Sequence, residues 1–251
     1  MTRTALAAGL CIALAPLLPA TPLAAQDAGV DERTGRFHVT MEGHPISREL
    51  YAAGPTRVRL CADYAGAGAL VRAELEMESP GRPVRYAATY DLAFLGEAGW
   101  QAERRRYGLR VDGDTLRWEA EEGGLWRERA VAWDPSRPLI VFQSALFALF
   151  GQFAAVYGDR EGPLAIQGLV MEEAALEEWT VEREGDALRV DSPQDISSYL
   201  FGTLAGVPAR VEIPGQEVEA EPEPRRGLIY PPLCSPPAEV RLPSERDAAL
   251  R

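Results

Sequence analysis

The residues that could do chemistry are few, and the only two histidines, His38 and His44, lie close together near the N-terminus. A Ser-His-Asp triad needs a histidine base and a serine on a sharp turn, but the sequence has no G-x-S-x-G motif. A zinc site would need further cysteine or histidine ligands nearby, and Cys61 alone does not supply them. We therefore expect His38 to be a surface residue on the polar face of a strand, and we predict neither a metal site nor a cofactor.

Paired carboxylates are abundant, but their positions do not define a reaction centre. Glycosidase chemistry needs two carboxyl groups that face each other across a cleft, and a sequence alone does not place them. We interpret these residues as solvated strand faces and turns. The pairs are Glu172-Glu173, Glu177-Glu178, Glu121-Glu122 and Asp112/Asp114. The chain also lacks lysine, which excludes a Schiff-base or P-loop lysine. We predict no catalytic residue within residues 1–251.

The first 25 residues have the pattern of a secretory signal peptide. Arg3 supplies the positive start, residues 5–18 the apolar centre, and residues 19–25 the region of small residues where cleavage occurs. A retained N-terminal anchor is the alternative. The sequence therefore predicts an exported protein, periplasmic or secreted. The absence of lysine and asparagine, with much Ala, Gly, Pro and Arg, indicates a GC-rich bacterial genome.

The net charge of −12 argues against a nucleic-acid partner, because binding to phosphate backbones requires a basic surface. The same charge is typical of a soluble protein. The sequence does not define the oligomeric state.

Alternating apolar and polar residues predict a mainly β fold built on a large antiparallel sheet with one half-buried face. Two hairpins are predicted at Asp112-Gly113 and at Gly185-Asp186, since such dipeptides favour tight turns. The other predicted strands follow the same alternation: residues 37–41, 57–64, 71–78, 84–95, 125–133, 164–171, 176–184 and several between 197 and 215.

Residues 138–157 are the longest apolar run after the signal peptide, and their spacing predicts one long apolar helix. Phe142, Leu146, Leu149 and Phe153 recur at intervals of three and four residues. The helix could be a buried structural element, line a site for a hydrophobic ligand or insert into a membrane. Residues 26–35 are predicted to be flexible, residues 36–215 to form the β-rich domain, and residues 216–251 to be a Pro/Glu-rich linker or tail.

Two cysteines remain after removal of the signal peptide, Cys61 and Cys234. An exported compartment permits their pairing. Cys61 shares the charged, outward face of its predicted strand with Arg59 and Asp63, so a disulfide to Cys234 would hold the tail across the outside of the sheet. The alternative is two free thiols.

In its architecture, residues 35–215 resemble the half-barrel folds of periplasmic lipoprotein carriers and related uncharacterised secreted domains. That resemblance implies a curved sheet, wrapped around helical structure, that holds a lipid chain or another hydrophobic ligand. The ligand-facing residues it implies lie in the apolar run: Phe142, Phe147, Phe150, Phe153 and Tyr157. The expected partner is a hydrophobic small molecule or a cell-envelope component. Association with a membrane, without spanning it, is a further possibility.

The last residues, 239–251 (EVRLPSERDAALR), resemble the opening strand of a secreted α/β hydrolase. This second resemblance implies an N-terminal accessory domain, or a truncated fragment, of an exported serine hydrolase. It departs from the family in lacking the nucleophile elbow, the acid and the histidine. A structural envelope protein without a ligand is a further alternative, and it predicts a solidly packed aromatic cluster without a cavity.

Overall fold

The alternation of apolar and polar residues produces fifteen strands in the part of the chain that the computed structural model describes, residues 33–64, 68–96, 99–202 and 207–222. The predicted signal peptide, the predicted tail beyond residue 222, Cys234 and the hydrolase-like residues 239–251 lie outside the described residues.

The strands in the first half of the described chain are long. They are β1 (Arg33–Met41), β2 (His44–Ala53), β3 (Arg57–Tyr64), β4 (Ala69–Ser79), β5 (Arg82–Gly96), β6 (Gly99–Asp112), β7 (Thr115–Glu122) and β8 (Leu125–Ala132). Those in the second half are mostly shorter. They are β9 (Leu139–Phe142), β10 (Leu164–Val170), β11 (Ala175–Glu184), β12 (Ala187–Asp191), β13 (Ser197–Phe201), β14 (Arg210–Ile213) and β15 (Val218–Pro222).

All fifteen described strands join one curved sheet that does not close, in the order β8-β7-β6-β5-β4-β3-β2-β1-β15-β14-β13-β12-β11-β10-β9. Within the described residues every neighbouring pair is antiparallel except β9 and β10, which are parallel. The mainly β prediction is therefore confirmed. Both predicted hairpins form, with Gly113 and Gly185 at positive φ, a conformation that glycine adopts without strain.

Curvature brings the β9–β10 edge of the sheet back against its other half. The Leu139 amide donates to the Gly81 carbonyl oxygen at 3.0 Å, and the Trp118 indole donates to the Met171 carbonyl oxygen at 2.7 Å. The enclosed space is filled by residues 139–157, which we call the inner segment. Ile140 and Leu146 in this segment are completely buried.

The prediction of one long helix over residues 138–157 was wrong. Leu139–Phe142 form strand β9, and only Phe147–Phe150 (a 3-10 turn) and Gly151–Tyr157 (α1) are helical. Ile140 and Val141 are β-branched and favour a strand, and they pair with Gly168 and Leu169 of β10. Among the described residues no helix has the length and hydropathy needed to cross a membrane.

The ends of the sheet also differ from the sequence pattern. Val218–Pro222, predicted as tail, form β15 and pair with β1 and β14. β1 begins at Arg33, within the predicted flexible residues 26–35. No strand was predicted over His44–Ala53, yet β2 joins β1 to β3 at the centre of the sheet.

A buried glutamine takes the place of a neighbouring strand on the edge of β9 that does not pair with β10. Gln152 accepts a hydrogen bond from the Val141 amide at 3.1 Å, and its Nε2 donates to the Val141 carbonyl at 2.8 Å and to the Leu149 carbonyl at 3.0 Å. A buried peptide group without a hydrogen-bond partner is costly, and Gln152 provides partners for both the N–H and the C=O of Val141. The same side chain links β9 to α1.

Replacing this side chain should be more damaging than its size suggests. We expect Gln152→Leu to lower the free energy of unfolding by roughly 2–6 kcal/mol, because the Val141 N–H and C=O would both lose their partner at about 1–3 kcal/mol each. Urea unfolding checks this, with Gln101→Leu at an exposed position of β6 as the control. Equal midpoints for the two variants would contradict the proposed role of Gln152.

Candidate ligand site

An open cavity of about 380 Å³ lies where the inner segment diverges from the sheet. Its wall comes from the end of β9, the turn and 3-10 turn that follow it, strands β1, β2, β10, β11 and β13–β15, and the connections between them. Most of the lining side chains are apolar. The lining residues are Met41, Ile46, Phe142, Ser144, Ala145, Phe147, Phe150, Val170, Glu173, Glu177, Trp179, Ser192, Gln194, Ile196, Ser198, Ile213, Gln216 and Val218.

Aromatic rings form one wall of this cavity. Phe142 lies with its ring centroid 4.9 Å from that of Trp179 and 5.8 Å from that of Phe150, edge to face in the second case. Phe147 stacks on Phe150 at 5.9 Å. Contacts of this kind restrain the rings, so the wall is preorganised.

The five residues predicted to face a ligand fall into two groups. Phe142, Phe147 and Phe150 line the cavity. Phe153 instead packs behind them, with its ring 5.5 Å from that of Trp179, and Tyr157 donates its hydroxyl to the Gly162 carbonyl at 3.0 Å. Both of the latter are buried core residues that do not line this cavity.

The sequence pattern did not single out Trp179, although the strand that carries it was predicted. Its indole lies over Gly168 of β10, where an added Cβ would meet the indole nitrogen at 2.7 Å. The glycine therefore leaves the space that the ring occupies. In the β10–β11 register Trp179 pairs with Ile166 and Gly168 pairs with Glu177, so the indole reaches the glycine diagonally, two residues along β10.

A buried carboxylate fixes the start of the helical part of the inner segment. Glu49 of β2 is fully buried, and its two oxygens accept hydrogen bonds from the Phe147 amide at 2.8 Å and the Ala148 amide at 2.6 Å. The first amides of a helical segment have no partner within it, so Glu49 provides one. Sequence reasoning missed this residue because β2 was not predicted.

The turn between β9 and the 3-10 turn is held at three further points. Tyr86 donates its hydroxyl to Gln143 Oε1, and Tyr64 donates to the Ala145 carbonyl. The Ser144 amide donates to Glu172 Oε1 at 2.8 Å. Ala145 has φ of 63°, which costs energy for a residue with a Cβ, so these bonds maintain a strained turn beside the cavity.

Burial dominates the electrostatics behind this turn. It raises the pKa of Glu49 from 4.5 to about 7, despite the two amide hydrogen bonds that lower it. It also raises the pKa of Glu172, and those of Tyr64 and Tyr86. Desolvation penalises the charged form of each group.

Polar groups lie at the edge of the cavity. Glu177 accepts hydrogen bonds from the Trp179 indole at 3.2 Å and from the Gln194 side-chain Nε2 at 2.6 Å. Glu173 is exposed, and Arg129 donates to its backbone carbonyl at 3.2 Å. The arrangement can hold an apolar chain inside and a polar group at the edge.

Of the predicted cysteine pair, Cys61 is disulfide-bonded, but the expectation that it lies on the outward face of its strand was wrong, because its side chain is buried. Cys234 lies outside the described residues, so their pairing stays a prediction. Across the described ranges no group of three or more His, Cys, Asp or Glu side chains has the arrangement of a metal site.

No protein-family model and no curated protein matches the chain. Among solved structures, it is similar to the crystal structure of a DUF1089 family protein from Pseudomonas aeruginosa, at 11% sequence identity and a TM-score of 0.43. The match covers 68% of this chain and 90% of that chain. None of these comparisons links the chain to lipoprotein carriers or to α/β hydrolases.

The buried Glu49 should make stability depend on pH. Because its folded-state pKa lies above 4.5, the folded protein holds this proton more tightly than the unfolded chain does. The contribution to stability is therefore complete below pH 4.5 and is lost as pH rises to about 7. At about 1.4 kcal/mol per unit of pKa difference, the loss is at most about 3 kcal/mol.

We expect Glu49→Gln to be less stable than the native protein at pH 5 but to lose less stability between pH 5 and pH 8. Urea unfolding at both values measures this, with Glu161→Gln at an exposed position as the control. A stability deficit of Glu49→Gln that is identical at the two pH values would contradict the assignment.

Proposed function

We propose that this protein is an exported, non-catalytic module that binds the hydrophobic chain of an amphiphile in the cavity beside the inner segment. The observation that carries the proposal is the open, mostly apolar cavity of about 380 Å³. Sites for small ligands are concave, largely apolar and usually preformed, with volumes of roughly 300–1,000 Å³.

The packing of the inner segment supports this function. A hydrophobic ligand gains most from a wall that does not have to reorganise, because ordering the wall on binding reduces the affinity. Phe147 is held through its amide by Glu49, and Phe142 and Phe150 are held by ring contacts. The chain of the ligand would lie against these three rings.

The two other interpretations receive less support. A structural protein without a ligand predicts aromatic rings packed without a cavity, whereas three of the predicted rings border one. The hydrolase-accessory interpretation depends on residues 239–251, which lie outside the described residues. No contact among the described residues favours it.

Binding can be tested with N-phenyl-1-naphthylamine, an uncharged fluorophore whose emission rises in apolar surroundings. We expect saturable binding to the native protein. Ser144 is exposed and lines the cavity, so Ser144→Trp should partly fill it and weaken binding by about tenfold, equivalent to ~1.4 kcal/mol. Fluorescence titration gives both affinities.

The matched control is Ser79→Trp, the same change at an exposed serine that does not line the cavity. It should bind the fluorophore as the native protein does. The thermal unfolding midpoint of each variant verifies folding. If folded Ser144→Trp binds as well as the native protein, the cavity is not the binding site. If the native protein does not bind, the proposed function is wrong.

A further inference from the structure

We infer that the amphiphile bound in this cavity carries a cationic head group, an amine or a quaternary ammonium. This inference rests on the proposed function and deepens it, because it concerns the charge of the ligand and not its chain. It follows from the signs of the charges that border the cavity.

Every charged side chain among the described cavity-lining residues is acidic. Glu173 and Glu177 belong to the lining, and none of the described lining residues is arginine or histidine. The chain contains no lysine that could reach in from elsewhere. Arg129 contacts this edge, but it donates to the Glu173 backbone carbonyl and not to the carboxylate.

Glu177 is oriented for such a ligand. Each of its oxygens accepts one hydrogen bond, Oε2 from the Trp179 indole and Oε1 from the Gln194 side-chain Nε2. An ionised carboxylate has about four acceptor positions, so it can take further hydrogen bonds or a cation. The two neutral donors fix its direction without neutralising its charge.

The aromatic wall adds a second attraction for a cation. Phe142 and Trp179 line the same cavity as Glu177. A cation within about 6 Å of a ring centroid is attracted by the electron density of the ring face, and quaternary ammonium ligands are commonly bound in this way. A cationic head group therefore finds both carboxylates and aromatic rings in the lining of the same cavity.

An anionic head group meets the opposite conditions. A fatty-acid carboxylate or a phosphate would approach Glu173 and Glu177, whose charges have the same sign. The net charge of −12 adds a field that repels anions and attracts cations over a longer range. Selection by charge arises as much from this repulsion as from attraction.

The test uses three ligands with one chain length: decyltrimethylammonium, 1-decanol and decanoate. Each is kept below its micelle-forming concentration at pH 8 and displaces N-phenyl-1-naphthylamine from the native protein. We expect the ammonium ligand to bind at least about tenfold more tightly than decanoate, with the alcohol between them. The difference should shrink as salt is added, because exposed charges are screened.

Substitution identifies the responsible carboxylates. In the double variant Glu173→Gln/Glu177→Gln, the preference should fall to about threefold or less, while 1-decanol still displaces the fluorophore and so verifies an intact cavity. The new glutamine at position 177 can still accept from the indole. The control Glu161→Gln/Glu178→Gln removes the same total charge at exposed positions that do not line the cavity.

The outcomes separate this inference from the proposed function. Decanoate that binds as tightly as the ammonium ligand, while the fluorophore and 1-decanol bind, overturns the inference and leaves the function standing. A preference that survives in the double variant, or falls equally in the control, overturns the role of Glu173 and Glu177. If neither the fluorophore nor any decyl ligand binds, both proposals fail.

Discussion

The structure depends on one constraint: a wide curved sheet that does not close must have its concave apolar face covered. The inner segment provides this cover with residues of its own chain, and it contributes some of the largest fully buried side chains of the described part, among them Tyr157, Phe153 and Leu146. Burial of apolar area contributes about 25 cal/mol per Å², so this segment is central to stability.

Apolar packing alone would not orient such a segment, because much of it lies outside regular secondary structure and its peptide groups need hydrogen-bond partners from elsewhere. Hydrogen bonds from buried polar side chains fix the orientation of the inner segment. Gln152 completes the edge of β9, and Glu49 receives the first amides of the helical part. These bonds are directional, whereas the hydrophobic effect is not. Their cost is the burial of a carboxylate, visible in the raised pKa of Glu49.

The cavity is a consequence of the same geometry. The inner segment leaves the sheet at Gln143 and Ser144, passes through the strained turn at Ala145 and returns as a short helix. A segment with this shape does not contact the whole concave face, so space remains between its aromatic side chains and strands β10, β11 and β13–β15. The acidic residues that border this space come from β11 and from the connection that precedes it, and their charges distinguish the site from a plain apolar core.

The sequence by itself determined the class of fold, most of the strands and both tight hairpins, because period-two alternation and turn residues are local properties. The apolar run was also visible as a local property of the sequence, and three of the five residues predicted from it to face a ligand line the cavity. Its division into a strand and a short helix was not predicted. That division depends on pairing between β9 and β10, and the inclusion of β2 and β15 depends on their neighbours in the sheet. Only the tertiary structure decided that Glu49 and Trp179 meet the inner segment and that Gln152 folds back onto β9, since such contacts leave no periodic signal in the sequence.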